Sequence, residues 1–231
     1  AAPLLRAWLH RLREAGVVFH MRHRWLGWDV HGQLLFSTPE AEKTVQANAV
    51  VLALGGGSWA HLGSDGRWVP LLKQRGISVA ALKPANCGFE IGWSGHFSAR
   101  FAGQHLKTIA ASYTDKYAIE HHRPGELMIT STGVEGSLIY ALSAGLRDKI
   151  AASGEALIHL DLLPDKHRQQ VIDDVAHPRG SKSMASHLQS RLGIKGVKAG
   201  LLREVLTAQD FSNPQRLGSA IKALPLRLKA T

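Results

Sequence analysis

Apolar residues recur at helical spacing at the start of the chain, at Leu4, Leu5, Trp8, Leu9, Leu12 and Ala15. This spacing predicts an amphipathic helix over 3–15, with Pro3 in its first turn and Gly16 at its end. The period then changes. Val17–His20 reads as a strand that Trp25, Leu26 and Trp28 continue, Gly32 marks a turn, Gln33–Ser37 returns, and Thr44–Gln46 begins a third strand. Ala49–Leu54 is apolar without alternation, the pattern of a parallel strand covered on both faces, and it stops at Gly55-Gly56-Gly57. Residues 65–75 predict a helix with Trp68, Leu71 and Leu72 on one face and Gly76 closing it. Helix, strands, covered strand, glycine turn, helix is the order of an α/β domain.

From Ile77 the grammar differs. Short β-type stretches at Ser78–Leu82, Cys87–Ile91, Thr108–Tyr113, Tyr117–Glu120 and Leu127–Ile129 alternate with turns bearing Gly or Pro, which predicts a small antiparallel sheet or barrel. Leu138–Ile150 reads as a helix and Leu157–Leu160 as a strand. A helix with Pro164 in its first turn runs to about Ala176, and shorter helices follow near Ser183–Leu192 and Val197–Thr207. Leu224–Leu228 alternates and is expected to return to the sheet. All six tryptophans lie between Trp8 and Trp93, so the two ends of the chain are built differently.

Of the chemistry-bearing motifs, Val50-Val51-Leu52-Ala53-Leu54-Gly55-Gly56-Gly57-Ser58 is the strongest. Glycines at the end of a strand let backbone approach a flat or phosphate-bearing ligand and permit positive φ. A tight turn with no ligand explains the glycines equally well. In Gly63-Ser64-Asp65-Gly66, Ser64 or Asp65 is placed to cap the next helix. His20 and His23 fall on a predicted strand and so on opposite faces, and His121-His122 sit on a predicted turn beside Glu120; neither pair makes a metal site. Ser58 lacks the surroundings of a nucleophile elbow, since the run is Gly56-Gly57-Ser58-Trp59-Ala60. Cys87 reads as a small buried residue, and a single cysteine fits a reducing cytoplasm.

Lys and Arg number 28 against 18 Asp and Glu, a net charge of +10. Solubility explains such an excess, and nucleic acid, an anionic substrate or a phosphate-bearing cofactor are further explanations. Arg179, Lys182, Arg191, Lys195, Lys198 and Arg203 cluster without interleaved aromatics, which argues for a solvated helical surface over a base-stacking one. The longest purely apolar stretch, Ala49–Leu54, is far shorter than the ~20 residues of a membrane span.

The stretch from Val50 to Ile91 resembles a bacterial family of FAD flavoproteins, the aminoacetone-oxidase-like and bile-acid-reductase-like NAD(P)/FAD-dependent oxidoreductases. Ala53-Leu54-Gly55-Gly56 stands where that family has "ATGG", followed by Ser58, Gly63-Ser64-Asp65-Gly66, Gly76 and Pro84-Ala85. Further on, Gly125–Ser137 is similar to the family's "GELLFTHxGxSGP" and Asp161-Leu162-Leu163-Pro164-Asp165 to its "DLLPD". Leu54 replaces the family's Thr, Ser131 its His, and Glu135-Gly136-Ser137 its "SGP".

The resemblance implies an α/β plus α+β architecture. A partial Rossmann-like FAD domain (1–77) would carry an inserted β-barrel (78–160 and 217–231), which itself carries a helical domain (161–216). It implies FAD contacts at Trp25, Ala53, Leu54, Gly55, Gly56 and Ser58, with the Trp25 backbone at the adenine, and NAD(P)H as a reductant. No catalytic side chain is matched and no metal is implied. The chain lacks a G-x-G-x-x-G after any strand of its first part. In the resembled family that fingerprint lies upstream, so this chain is expected to be an internal piece that binds FAD weakly or not at all. The expected function is flavin-mediated hydride transfer on a small-molecule substrate in the cytoplasm. The alternative is a basic nucleic-acid-binding module built on a small barrel.

Overall fold

The computed structural model describes residues 2–231. The chain forms two compact units, one running to Lys83 and the other from Pro84 to Thr231.

In the first unit, helix α1 (Ala2–Glu14) precedes an antiparallel meander of β1 (Arg24–Trp28), β2 (Leu34–Ser37) and β3 (Glu42–Val45). The two-residue offset between Trp25 and Gly27 against Phe36 and Leu35 is a β-bulge. Helix α2 (Trp68–Gln74) packs on β1, where the bare Cα of Gly27 faces the Leu71 side chain. Asp65 does not cap α2. Its carboxylate instead accepts from Arg67 N at 3.1 Å, closing a turn one residue before the helix.

Three strands read from the sequence are absent here. Residues 17–20 are irregular, and the chain turns through Met21 and Arg22, whose φ is +59°. The run Ala49–Leu54 is likewise not a strand: Val51 is 89% exposed, and only Leu54 is partly covered. A strand apolar on both faces needs neighbours in its own sheet and a layer on each side. Among the described residues every strand pair is antiparallel and none includes this run, so no strand pairs with it. Ser78–Leu82 also lacks a ladder.

The second unit is the barrel that the alternating pattern predicts. Strands β4 (Phe89–Glu90), β5 (His105–Thr114), β6 (Glu120–Ile129), β7 (Gly133–Glu135), β8 (Ala156–Asp161) and β9 (Leu224–Leu228) pair antiparallel in the order β4-β7-β6-β5-β8-β9. The outer strands meet: Glu90 N donates to Ala230 O and Lys229 N to Glu90 O, each at 2.9 Å, which joins the sheet into a nearly closed six-stranded ring. Alternate residues of β8 (Ala156, Ile158, Leu160) and β9 (Leu224, Leu226, Leu228) point into the core. Helix α3 (Gly95–Phe101) is capped by Ser94, which accepts from Phe97 N at 3.2 Å. Helix α4 (Ser137–Ser153) lays Leu138, Ile139, Leu142 and Leu146 on the sheet and ends at Gly154 in the left-handed conformation.

Between β8 and β9 the chain makes five helices: α5 (Arg168–Ala176), α6 (Met184–Leu192), α7 (Gly196–Val205), α8 (Ala208–Ser212) and α9 (Pro214–Lys222). The sequence reading places three of these and misses α8 and α9. Both carry start signals: a Thr207–Asp210 capping box for α8, and an Asn213 cap followed by Pro214 for α9.

The tip of the β5–β6 hairpin is organised by one carboxylate. Asp115 accepts from Tyr117 N, Ile119 N and His121 Nε2, at 2.8, 3.0 and 2.8 Å, while the His121 ring stacks on Tyr113. His121 therefore sits at the start of a strand, correcting its predicted place on a turn. The His121 hydrogen bond, followed by the backbone donors, holds the Asp115 carboxyl below the ordinary carboxylate range. A depressed folded-state value means the stabilisation is present above the unfolded value near ~4 and is lost as pH falls through the lower folded one. Acid titration followed by NMR should thus free the Tyr117 and Ile119 amides below about pH 4 while the barrel amides stay protected; tip amides that hold unchanged through that window would refute the account.

Candidate functional site

The residues singled out for cofactor contact all lie in the first unit. Trp25 stands on β1, an edge strand with one row of backbone N–H and C=O facing no other strand among the described residues. Its indole Nε1 is buried and has no hydrogen-bond partner. Buried indole N–H groups ordinarily find an acceptor, so an unpaired one marks a place where a partner is missing. Trp28 meets the Trp25 ring edge-on at 4.8 Å between centroids, and the Arg75 guanidinium lies 5.0 Å over Trp28.

Beside Trp25 opens a cleft of about 400 Å³, whose walls include Arg24, Leu54, Asp65, Arg67 and Trp68. A second hollow of about 470 Å³ has Leu52–Gly55 along one wall and Trp68 and Leu72 along the other. The Trp68 indole donates to Gly55 O at 3.1 Å, so α2 fixes the glycine run from one side. On the other side Gly55, at φ +72°, faces Ser64, and a Cβ there would meet Ser64 Oγ at 3.2 Å. Gly56 O accepts from Gly66 N at 3.1 Å, and the Cα atoms of Gly57 and Gly66 face Leu82.

The structure thus brings together Trp25 and Leu54 in one cleft, and Ala53, Leu54 and Gly55 in the other. Gly56 and Ser58 line neither; Gly56 is spent on its turn bond, and Ser58 is exposed. The glycines serve as a turn locked by residues 63–66, and the predicted strand leading into them is a coil. Arg24, Arg67 and Trp68 were not singled out from the sequence. Arg24 is there as the neighbour of Trp25 on β1, and Arg67 and Trp68 because the turn at Asp65 brings the start of α2 to the cleft; the only forewarning was Arg67-Trp68 at a helix start.

The histidine pair also differs from expectation. With residues 17–20 irregular and Arg22 in a left-handed conformation, the His20 and His23 rings lie 5.2 Å apart instead of on opposite faces. Among the described residues no three His, Cys, Asp or Glu side chains gather as a metal site. No helix among them is long and apolar enough to cross a membrane.

In the second unit, residues 83–231 match the family model described as HI0933-like protein barrel and H2TH domain. The chain belongs to the HI0933-like family. Over 125 residues it is 26% identical to a 3-dehydro-bile acid delta(4,6)-reductase of Clostridium scindens, a match covering 54% of this chain and 30% of that protein. The chain therefore spans less than a third of that relative's length.

Within the HI0933-like barrel, the motifs noted in the sequence are structural joints. Gly125–Ser137 runs from β6 through the turn at Thr130, whose hydroxyl accepts from Gly133 N at 2.8 Å, into β7 and the start of α4. Asp161–Asp165 carries β8 towards the helices: Asp161 accepts from Leu163 N at 2.9 Å and pairs with Lys222 Nζ at 2.7 Å. Lys198 turns inward as well, donating to Thr108 O and Leu162 O at 3.1 and 2.7 Å. Burial pushes its ammonium below the ordinary lysine range, against the opposing pull of Asp161 and Asp165. Cys87 is partly exposed; burial raises its thiol, although Arg147 and Ser143 act the other way, so a standing thiolate is not favoured.

Proposed function

We propose that this chain is part of an FAD-dependent oxidoreductase, and that the clefts around Trp25 and Leu54 receive the adenosine and diphosphate of the cofactor. Three lines support the reading: membership of the HI0933-like family, similarity to a protein named as a reductase, and the Ala53–Gly66 and Gly125–Asp165 motifs of the resembled flavoproteins. The observation that carries the placement is that Trp25, whose buried indole N–H has no partner, lines the same cleft as Leu54.

The side chains fit the group. Trp25, Leu54 and Trp68 offer flat apolar walls, and the free edge of β1 offers backbone donors and acceptors for an adenine ring. Arg24 and Arg67 supply positive charge for a diphosphate, with Asp65 fixing Arg67 through Nε at 3.2 Å. Bound flavin would supply the redox chemistry, hydride transfer between a reduced nicotinamide such as NAD(P)H or an organic substrate and an acceptor. The protein's contribution in this chain is to orient the nucleotide end and exclude water from it. The architecture proposed with it is a Rossmann-like FAD-binding region carrying the barrel, with the helices α5–α9 borne by the barrel. The rival nucleic-acid reading loses one cation of its cluster, because Lys198 is spent on internal carbonyls.

FAD titrated into the chain should quench tryptophan fluorescence only weakly, whereas the whole protein should carry FAD through gel filtration. Gly55→Val tests the placement. A β-branched residue forced to φ +72° costs ~1–2 kcal/mol, and displacing the Leu54–Gly55 backbone should weaken FAD about tenfold. A whole protein that takes up no flavin would end the proposal. Oligonucleotide binding with a steep salt dependence would put the rival in its place.

A further inference from the structure

We infer that the helical part of the second unit holds a separate site for a small organic oxyanion, in the hollow between α3, α6 and the start of α7. The hollow is about 300 Å³, at the lower end of small-molecule sites. Its floor is apolar: Phe97 and Phe101, tilted on each other at 5.0 Å, lie beside Ile194 and Ala199. The close fit has a specific cause. Gly200 lets α7 approach α3 so nearly that a Cβ there would meet the Phe101 ring at 2.4 Å.

The rim is cationic. Arg100, Lys195 and Arg203 line it, and none of them has an ion pair among the described residues; Arg100 only stacks over Phe101 at 5.5 Å. One carboxylate, Glu204, also lines the hollow, but it is held elsewhere: it accepts from Ser94 N at 2.6 Å and Ser94 Oγ at 2.7 Å. Three cations against one engaged carboxylate leave a net positive rim around a partly enclosed, low-dielectric floor, which concentrates anions. The first turn of α7 adds to this. Its N-cap is Lys195, whose side chain caps nothing, so the positive end of a ten-residue helix borders the same hollow. Gly193 and Gly196, at φ +67° and +56°, make the sharp turn that aims this end inward.

Charge without a floor would suit a bare phosphate, and a floor without charge would suit a neutral apolar molecule. Both together select a phosphate or carboxylate joined to a flat apolar body, the anion among Lys195, Arg203 and the α7 N-terminus, the body against Phe97 and Phe101. The site lies wholly within the barrel-and-helix unit and does not depend on the flavin reading.

The test is an amide NMR titration of the whole chain with phenyl phosphate, with benzoate, and with inorganic phosphate. Saturable shifts centred on residues 194–203 and on Phe101 are expected with at least one aromatic anion, and the tighter of the two names the anion class. Lys195→Gln with Arg203→Gln, both at exposed positions, should weaken binding ~10-fold or more while the remaining spectrum is unchanged. Ala199→Leu, which fills the hollow without altering charge, should abolish it. The proposal is overturned if neither aromatic anion saturates, if the double variant binds as the parent does, or if inorganic phosphate binds as tightly as phenyl phosphate.

Discussion

Replacing Lys222 by Met should destabilise the second unit by about 3–5 kcal/mol, among the largest single effects in the chain. Lys222 Nζ is 2.7 Å from Asp161 Oδ2, with side chains only 12% and 19% exposed, and it also donates to Leu163 O and to Lys166 O. Removing the ammonium strips the mostly buried Asp161 carboxylate of its counter-charge and leaves it only the Leu163 N bond, and it takes a donor from Leu163 O and from Lys166 O, the costly half of a buried ion pair. The same residues tie the end of β8 to the end of α9, so the helices should loosen from the barrel together. Urea unfolding measures the loss, and Asp161→Asn in the Lys222→Met background should restore part of it by removing the stranded charge. A midpoint shift worth less than ~1 kcal/mol would reduce the pair to an ordinary surface bridge.

A methyl group at Gly133 should open the barrel seam. A Cβ on Gly133 would lie 1.8 Å from Phe89 O and 2.8 Å from Glu90 Cα, both backbone atoms that no rotamer change can move aside. The β4–β7 pairing rests on only Phe89↔Val134 and Glu90↔Gly133, so Gly133→Ala forces β4 away rather than compressing it. The cost is expected at ~3 kcal/mol or above, the upper range for overpacking, because the clash is with backbone. The Trp93 indole, which donates to Gly133 O at 3.0 Å, should lose its bond at the same time. Hydrogen exchange supplies the readout. The amides of Glu90 and Lys229, which make the closing bonds, should exchange much faster while those of β5, β6 and β8 change little. Uniform protection at the seam would show that β4 stays in place.

The barrel was legible in the sequence because each strand carries its own evidence. Leu224, Leu226 and Leu228 alternate with Pro225 and Arg227, and that alternation alone places β9 with one face in the core. The run Ala49–Leu54 carried no such evidence. Unbroken apolarity says only that a segment would gain by being covered, and covering requires partners that the run does not contain; among the described residues it has none. Helices α8 and α9 were missed for the opposite reason, being short and announced by caps instead of by a long periodic stripe. Of the candidate site, Trp25 and Leu54 were readable as a pair only through family motifs. Arg67 and Trp68 were not, since a three-dimensional turn at Asp65 delivers them. The His20–His23 pairing depends on a left-handed Arg22, a conformation that a non-glycine residue does not advertise.

The seam at Glu90 and Ala230 carries a consequence for how this unit is made. It joins the first strand of the ring to residues beyond its last, across nearly the whole span of the unit, so its loop-closure cost is among the steepest of the fold. During ribosomal synthesis β4 must wait, edge exposed, until Ala230 has emerged. The hairpin of β5 and β6, with its local contacts, is positioned to form early, and the ring can be sealed only as the final event.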